Sequence, residues 1–266
     1  MKLKEALVPL LTPNELEAAP SSFDTVGDIA IFNEVDSVLK KKEKLIAETL
    51  LKLHNNIKVV LKKTARYSGK LRTPKLAYLA GGRRKITTHK ENGVSLMLDV
   101  EKCYFSTRTA TERQRIVSLV KKGESVLVMF SGVSPLGIEI AKHTKAKEVY
   151  GIELNKIAHH FALKNVTLNK VNNVVLVQGD VSKVLLRLKK KFDRIVMPLP
   201  KEAKRYLPLA VKSIKPKGSI HLYTFLEEKE ISQKVKEYKA TFSSVKAVRC
   251  GQYAPHVFRV CLDLRK

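Results

Sequence analysis

Glu124-Ser-Val-Leu-Val-Met-Phe-Ser-Gly-Val-Ser-Pro135 is the stretch on which the fold turns. Its apolar run has strand length and stops at Ser131-Gly-Val-Ser-Pro135. Leu136 to Thr144 then takes up helical spacing. A second strand, Glu148-Val-Tyr-Gly-Ile-Glu153, closes on a carboxylate, and a third, Asn173 to Val177, ends at Gly179-Asp180. Glu153 falls 21 residues after Gly132. A nucleotide-binding βαβ unit places the acid that grips ribose hydroxyls at about that interval. An adenosine-bearing cofactor is therefore expected across the carboxyl ends of these strands. Gly132 also suits an ordinary strand-to-helix connection, and Glu153 and Asp180 would each also serve as a helix N-cap.

Working outward, the βα alternation continues to the C-terminus. Ser182 to Leu188 reads as a helix, Phe192 to Met197 as a strand, and Pro198-Leu-Pro200 as a rigid loop. Glu202 to Ile214 is a helix, Gly218 to Phe225 a strand, and a charged helix runs to about Tyr238. Val245–Cys250 and His256–Leu264 close the sheet as a final antiparallel pair. Such an order predicts a mostly parallel sheet with helices on both faces, an α/β fold of Rossmann-like type over residues 101–266. Upstream, residues 21–100 carry strands at Phe23–Phe32, Ile57–Lys62, Leu76–Leu79 and Val94–Val100, and a helix from Ser37 to about His54. They predict a smaller, basic α+β domain. Residues 1–20 read as an N-terminal arm or short helix.

Lys and Arg total 51 against 25 Asp and Glu, a net charge of +26. So large an excess points to a polyanionic partner, because each phosphate neutralised releases counterions. A lysine-rich solubility surface is the alternative. Lys58, Lys62, Lys63, Arg66, Lys70, Lys75, Arg83, Arg84 and Lys85 crowd the small domain and are expected to meet phosphates. No apolar run approaches ~20 residues, so no membrane span is expected. The opening Met1-Lys-Leu-Lys-Glu lacks a signal-peptide core. Three unpaired cysteines suggest a reducing cytoplasm, and no Cys or His cluster has metal spacing. His89, His159, His160 and His221 have no evident catalytic partner in sequence. Tyr67, Tyr78 and Tyr253 are candidates for stacking on unpaired bases, although aromatics in strands are more often core.

Asp99-Val-Glu-Lys-Cys-Tyr-Phe-Ser-Thr-Arg-Thr-Ala-Thr-Glu-Arg-Gln-Arg-Ile116 resembles the linker signature of the archaeal and eukaryotic tRNA (guanine-37-N1)-methyltransferases. The resemblance extends through Phe23–Ile31, Leu71-Arg-Thr73, Thr88–Gly93, Met129–Pro135, Ile152–Asn155, Gly179–Val181 and Asp193–Pro200, and so covers about residues 22–266. It implies methyl transfer from S-adenosylmethionine to N1 of guanine 37, on the anticodon stem-loop of tRNA; separately, a monomer is the default expectation and the cysteine usage points to the cytoplasm. By the same resemblance Glu112 is the general base, Arg72 steadies guanine O6, and Tyr104 lines the pocket for a flipped base. Arg113, Phe130, Gly132, Glu153, Leu154, Asp180, Val181 and Pro198 would then contact the cofactor. Read without it, Glu112 and Arg113 are first-turn helix charges and Tyr104 is a core residue.

Three positions depart from the family pattern. Val128 replaces an acid, Ser134 a glycine, and Pro198 the asparagine of an Asn-Leu-Pro loop. Most members also carry an extra N-terminal domain that touches the tRNA elbow, for which twenty leading residues are too few. Two rival readings follow. One is aminocarboxypropyl transfer from the same cofactor in the wybutosine pathway; the other is a non-catalytic tRNA-binding relative.

Overall fold

A computed structural model describes residues 2–69 and 71–266, with Arg66, Tyr67 and Ser68 described as backbone alone. Lys70 and the side chains of Arg66 and Tyr67, expected above to meet RNA, lie outside the described residues. The chain divides into two compact units, Met1–Lys90 with Ser95–Thr107, and Glu91–Val94 with Arg108–Lys266.

The first unit opens with α1 (Leu3–Leu7) and α2 (Pro13–Ala18). Thr12 and Glu15 cap α2 reciprocally, and Pro13 starts it. Leu3, Leu7 and Leu11 are buried in the core of this unit, so the leading segment packs instead of standing free. A sheet in the order β1-β2-β3-β4 follows from β1 (Asp24–Val26), β2 (Ile29–Phe32), β3 (Val59–Ser68) and β4 (Thr73–Gly81). The helix expected from Ser37 is broken. A 3-10 turn, Ser37–Leu39, is closed by Asp36 accepting from Val38, and α3 starts only at Glu43 and runs to Leu53. Leu39, Ile46 and Leu50 still share one buried side, as their spacing required. A strand absent from the sequence reading, β5 (Ile86–Glu91), pairs with β6 (Val94–Asp99). Between them Asn92 and Gly93 both have positive φ, 47° and 76°, the conformation of a two-residue hairpin turn.

The second unit holds α4 (Ala110–Leu119), β7 (Ser125–Met129), α5 (Pro135–His143), β8 (Glu148–Glu153), α6 (Lys156–Leu168), β9 (Val174–Gln178) and α7 (Val181–Leu188). It continues with β10 (Phe192–Met197), α8 (Ala203–Ser213), β11 (Ile214–Glu227), α9 (Glu230–Lys239), β12 (Ser244–Ala254) and β13 (Val257–Arg265). The sheet order is β12-β13-β11-β10-β7-β8-β9. Five strands are parallel, and the β12/β13 hairpin adds two antiparallel strands, the expected closing pair. The fold is Rossmann-like α/β, and its strand order reverses between β7 and β10. Ligands of open α/β sheets bind outside the carboxyl ends at such a switch. Leu127, Met129, Ile195 and Met197 face one buried cluster; Val126, Val128 and Val196 face another, with Ile116, Leu136 and Ile140. Among the described residues no helix is long and apolar enough to cross a membrane.

Candidate active site

The turn after β7 is built around left-handed backbone. Phe130, Gly132 and Ser134 have φ of 56°, 57° and 62°. Gly132 sits there without strain; the other two carry a Cβ in a region costly for L-residues. Ser131 N–H donates to Ile152 O (3.0 Å), and Gly132 N–H donates to Glu153 Oε2 (2.7 Å), so the turn folds over the end of β8. Gly151 permits that approach, because a Cβ on it would meet Ser131 Oγ at 3.0 Å and Leu176 Cδ2 at 2.7 Å. The hydroxyls of Ser131 and Ser134 are buried with no hydrogen-bond partner. Val128, in place of an acid, is buried among apolar neighbours, where a carboxylate would need a partner.

Glu153 does not cap α6; Asn155 does, accepting from Ile157 and Ala158. Glu153 instead bonds the amides of Gly132 and Asn155, one to each oxygen. Burial raises its carboxyl above the ordinary range, and the backbone amides oppose that shift. Each oxygen keeps a further acceptor site. Asp180 caps α7 through Ser182 N (2.9 Å) and Ser182 Oγ (2.6 Å). Val181 is buried beside it, and Leu154 is half-buried after Glu153. Phe130 packs edge-on to Tyr206 at 5.0 Å. Pro198 is half-buried at the end of β10, and its loop is pinned by Leu199 N–H to Met197 O (2.9 Å). These residues fit an adenosine moiety: a carboxylate pair of acceptors for ribose, an acid and apolar edge for adenine, and a tight turn that admits close approach.

On α4 the two candidates point into different networks. Glu112 is 8% exposed. Arg115 Nε and Nη2 donate to its two oxygens at 2.8 and 2.7 Å, and Tyr223 O–H donates at 2.5 Å. Burial, and then the neighbouring Cys261 and Glu112, keep the Tyr223 phenol protonated far above its ordinary value. Arg115 also holds Asp263 at 2.7 Å, and Asp263 accepts from His221 at 2.6 Å. Arg113 is held by Glu139 (3.2 Å), Thr109 Oγ1 (2.6 Å) and Glu91 (2.6 Å). Asn92 Nδ2 adds a bond to Glu139 (3.0 Å). Its guanidinium therefore fixes the first turn of α4.

In the first unit, Arg72 and Tyr104 meet: the guanidinium lies over the ring, 5.4 Å from its centroid. Arg72 itself has φ of 52°. Of the basic residues expected to face phosphate, several are already paired. Lys62 bonds Glu43 (2.5 Å), Arg84 bonds Asp28, Lys85 bonds Glu101 (2.7 Å), and Lys63 lies 3.9 Å from Asp24. The sequence window around them lacked acids, but α3, the loop before β2 and the turn after β6 supply them. Lys58, Lys75 and Arg83 are exposed.

Sequence reasoning named His221 but missed its partner Asp263; the two face each other across β11 and β13. Strand register, visible only once the hairpin is placed, joins them. Together with Cys261 they bring three potential metal-ligating atoms within 4.8 Å. Arg115 and Arg194 both donate into the trio, so it is a hydrogen-bonded relay hostile to a further cation.

Residues 87–248 match the family described as TRM5/TYW2 methyltransferase domain, and residues 3–84 match the TYW2 N-terminal domain. The chain is 38% identical over 263 residues to the tRNA (guanine(37)-N(1))-methyltransferase Trm5b of Pyrococcus abyssi, covering 95% of this chain and 77% of that one. Among solved structures, the complex of aTrm5 and tRNALeu matches with a TM-score of 0.87 at 30% identity, covering 100% of this chain and 78% of that one. Trm5 of Methanocaldococcus jannaschii in complex with adenosine matches with a TM-score of 0.81 at 32% identity, covering 94% and 76%.

Proposed function

The chain belongs to the TRM5/TYW2 methyltransferase family, and from that membership we propose that it methylates N1 of guanine 37 in tRNA, using S-adenosylmethionine. The observation that carries the reading is the Glu153 carboxylate, bonded to the Gly132 amide beside the strand-order switch. When bound, the cofactor supplies an electrophilic methyl group on a sulfonium.

Glu153 would accept from the ribose hydroxyls and Asp180 from the adenine amino group, and Leu154, Val181 and Phe130 would give apolar contact. Pro198 would offer the cofactor its carbonyl in place of a side-chain amide.

Guanine N1 carries a proton at neutral pH, and Glu112 removes it. Arg115 makes this feasible. It keeps Asp263 as counter-ion when Glu112 becomes neutral, so proton uptake leaves no unpaired buried charge. Arg72 donates to guanine O6 as negative charge develops there, and Tyr104 walls the flipped base. Arg113 positions Glu112 by locking the start of α4. The partner is the anticodon stem-loop, met by a monomer in the cytoplasm; the +26 charge supports phosphate-driven docking.

Transfer of labelled methyl groups to tRNA transcripts tests this reading. Incorporation into a transcript with guanine at position 37, and none when adenine replaces it, is expected. Equal labelling of both would refute it.

A further inference from the structure

Tyr253, a candidate from sequence for stacking on unpaired bases, lies on the surface of the second unit. It is 54% exposed, with its ring stacked on Phe225 at 4.1 Å and 30°. The strand register slips between Gln252 and Ala254, so Tyr253 is the extra residue of a bulge on the edge strand β12. Bulges re-aim side chains, and this one turns Tyr253 onto the ring of a strand two places away. Phe225 lies near the carboxyl end of β11, where Glu227 pairs with Val257. That is the same edge from which the Pro198-Leu199-Pro200 loop leaves β10.

Two cations complete the feature. Lys201 Nζ, the first side chain after the loop, lies 5.8 Å from the Tyr253 ring centroid. Arg259 lies 5.9 Å from the Phe225 ring, opposite it in the ladder. Neither makes an ion pair among the described residues, and Arg259 Nε is buried with no hydrogen-bond partner. Of the acids at the end of β11, Glu228 is held by Arg249 at 2.6 Å and Glu227 by Lys229 at 2.9 Å. A half-exposed ring backed by a second ring, with a lysine ammonium over it and an arginine over the second ring, suits a flat base joined to a phosphate, the recurring form of single-stranded RNA recognition. A carbohydrate or apolar peptide would use the ring and leave the cations idle.

We infer that Tyr253, stacked on Phe225 and flanked by Lys201 and Arg259, binds an unpaired nucleotide adjoining the target guanine. Tyr253 supplies the stacking face, and Lys201 with Arg259 takes the phosphate. The inference rests on the proposed RNA substrate, and the platform is separate from the residues assigned to the chemistry.

Binding of an anticodon stem-loop RNA to the full chain tests it. Tyr253→Ala is expected to weaken binding about 10-fold, while Tyr253→Phe stays within about twofold and S-adenosylmethionine affinity is unchanged. Single abasic nucleotides placed in turn on either side of the target then locate the contact. One of them should weaken wild type about 10-fold and leave Tyr253→Ala no weaker than it already is. Lys201→Ala should flatten the salt dependence of binding by about one counterion. If Tyr253→Ala binds as wild type, or each abasic RNA costs both proteins the same factor, the platform is overturned. Formation of N1-methylguanosine by wild type is read separately, so the platform can fail while the reaction stands, and the reverse.

Discussion

Arg115 joins Glu112 to Asp263 through one guanidinium, donating to the first at 2.7 and 2.8 Å and to the second at 2.7 Å. Both carboxylates are largely buried, so the cation is what lets them lie together. Arg115→Ala should therefore cost about 3 kcal/mol of stability, read as a lower urea midpoint. Burial would raise the Asp263 carboxyl, but His221 and Arg115 overcome it and hold the group well below the usual carboxylate range. A depressed folded-state value stabilises above the unfolded value, near pH ~3.9, and that stability is lost as pH falls. Wild type should lose stability as pH drops below about 4, and Asp263→Asn should remove this part of the slope.

Glu112→Gln preserves shape but cannot accept the N1 proton. Single-turnover methyl transfer should slow by about 10²–10⁴-fold, with cofactor and tRNA affinities close to wild type. An unchanged rate would remove Glu112 from the role of base.

Ser134 occupies left-handed backbone with a buried, unpartnered hydroxyl. Ser134→Gly removes both penalties and adds chain entropy to the unfolded state, for a net gain of about 1 kcal/mol. The urea midpoint should rise with no change in m-value. A fall would mean that the Ser134 hydroxyl finds a partner in solution.

Glu153→Ala strands the Gly132 and Asn155 amides and withdraws the acceptors proposed for ribose. Calorimetry should show S-adenosylmethionine binding weakened by at least about 10-fold, together with a stability loss of about 1–3 kcal/mol. Unaltered cofactor affinity would place the ribose elsewhere.

Affinity for tRNA should fall steeply with ionic strength, because phosphate contacts release counterions. Lys58, Lys75 and Arg83, exposed on the first unit, are the first residues to substitute. Loss of any one should reduce the slope of log K against log salt by about one. Lys85, already bonded to Glu101, should change it less.

The second unit was legible because its signals are local. Apolar runs, the Gly132 turn and acids at strand ends mark β7, β8 and β9 without reference to distant residues. β10 is bounded in the structure at Phe192 and Met197, where the sequence placed it. β5 escaped because Ile86-Thr-Thr-His-Lys-Glu91 has little apolar content; the Asn92-Gly93 turn was its one signal. The Arg115 relay escaped for another reason. Asp263 and His221 lie 42 residues apart and meet only through antiparallel register. Charge counting also misjudged the small unit, since Asp28, Glu43 and Glu101 reach back in space to neutralise lysines and an arginine far away in sequence.

Nucleoside analysis of tRNA incubated with the protein and S-adenosylmethionine tests the central claim most directly. Digestion and mass spectrometry should yield one new product, N1-methylguanosine, mapping to position 37. A product heavier by an aminocarboxypropyl group, or no modified nucleoside from tRNA that the protein binds, would contradict it.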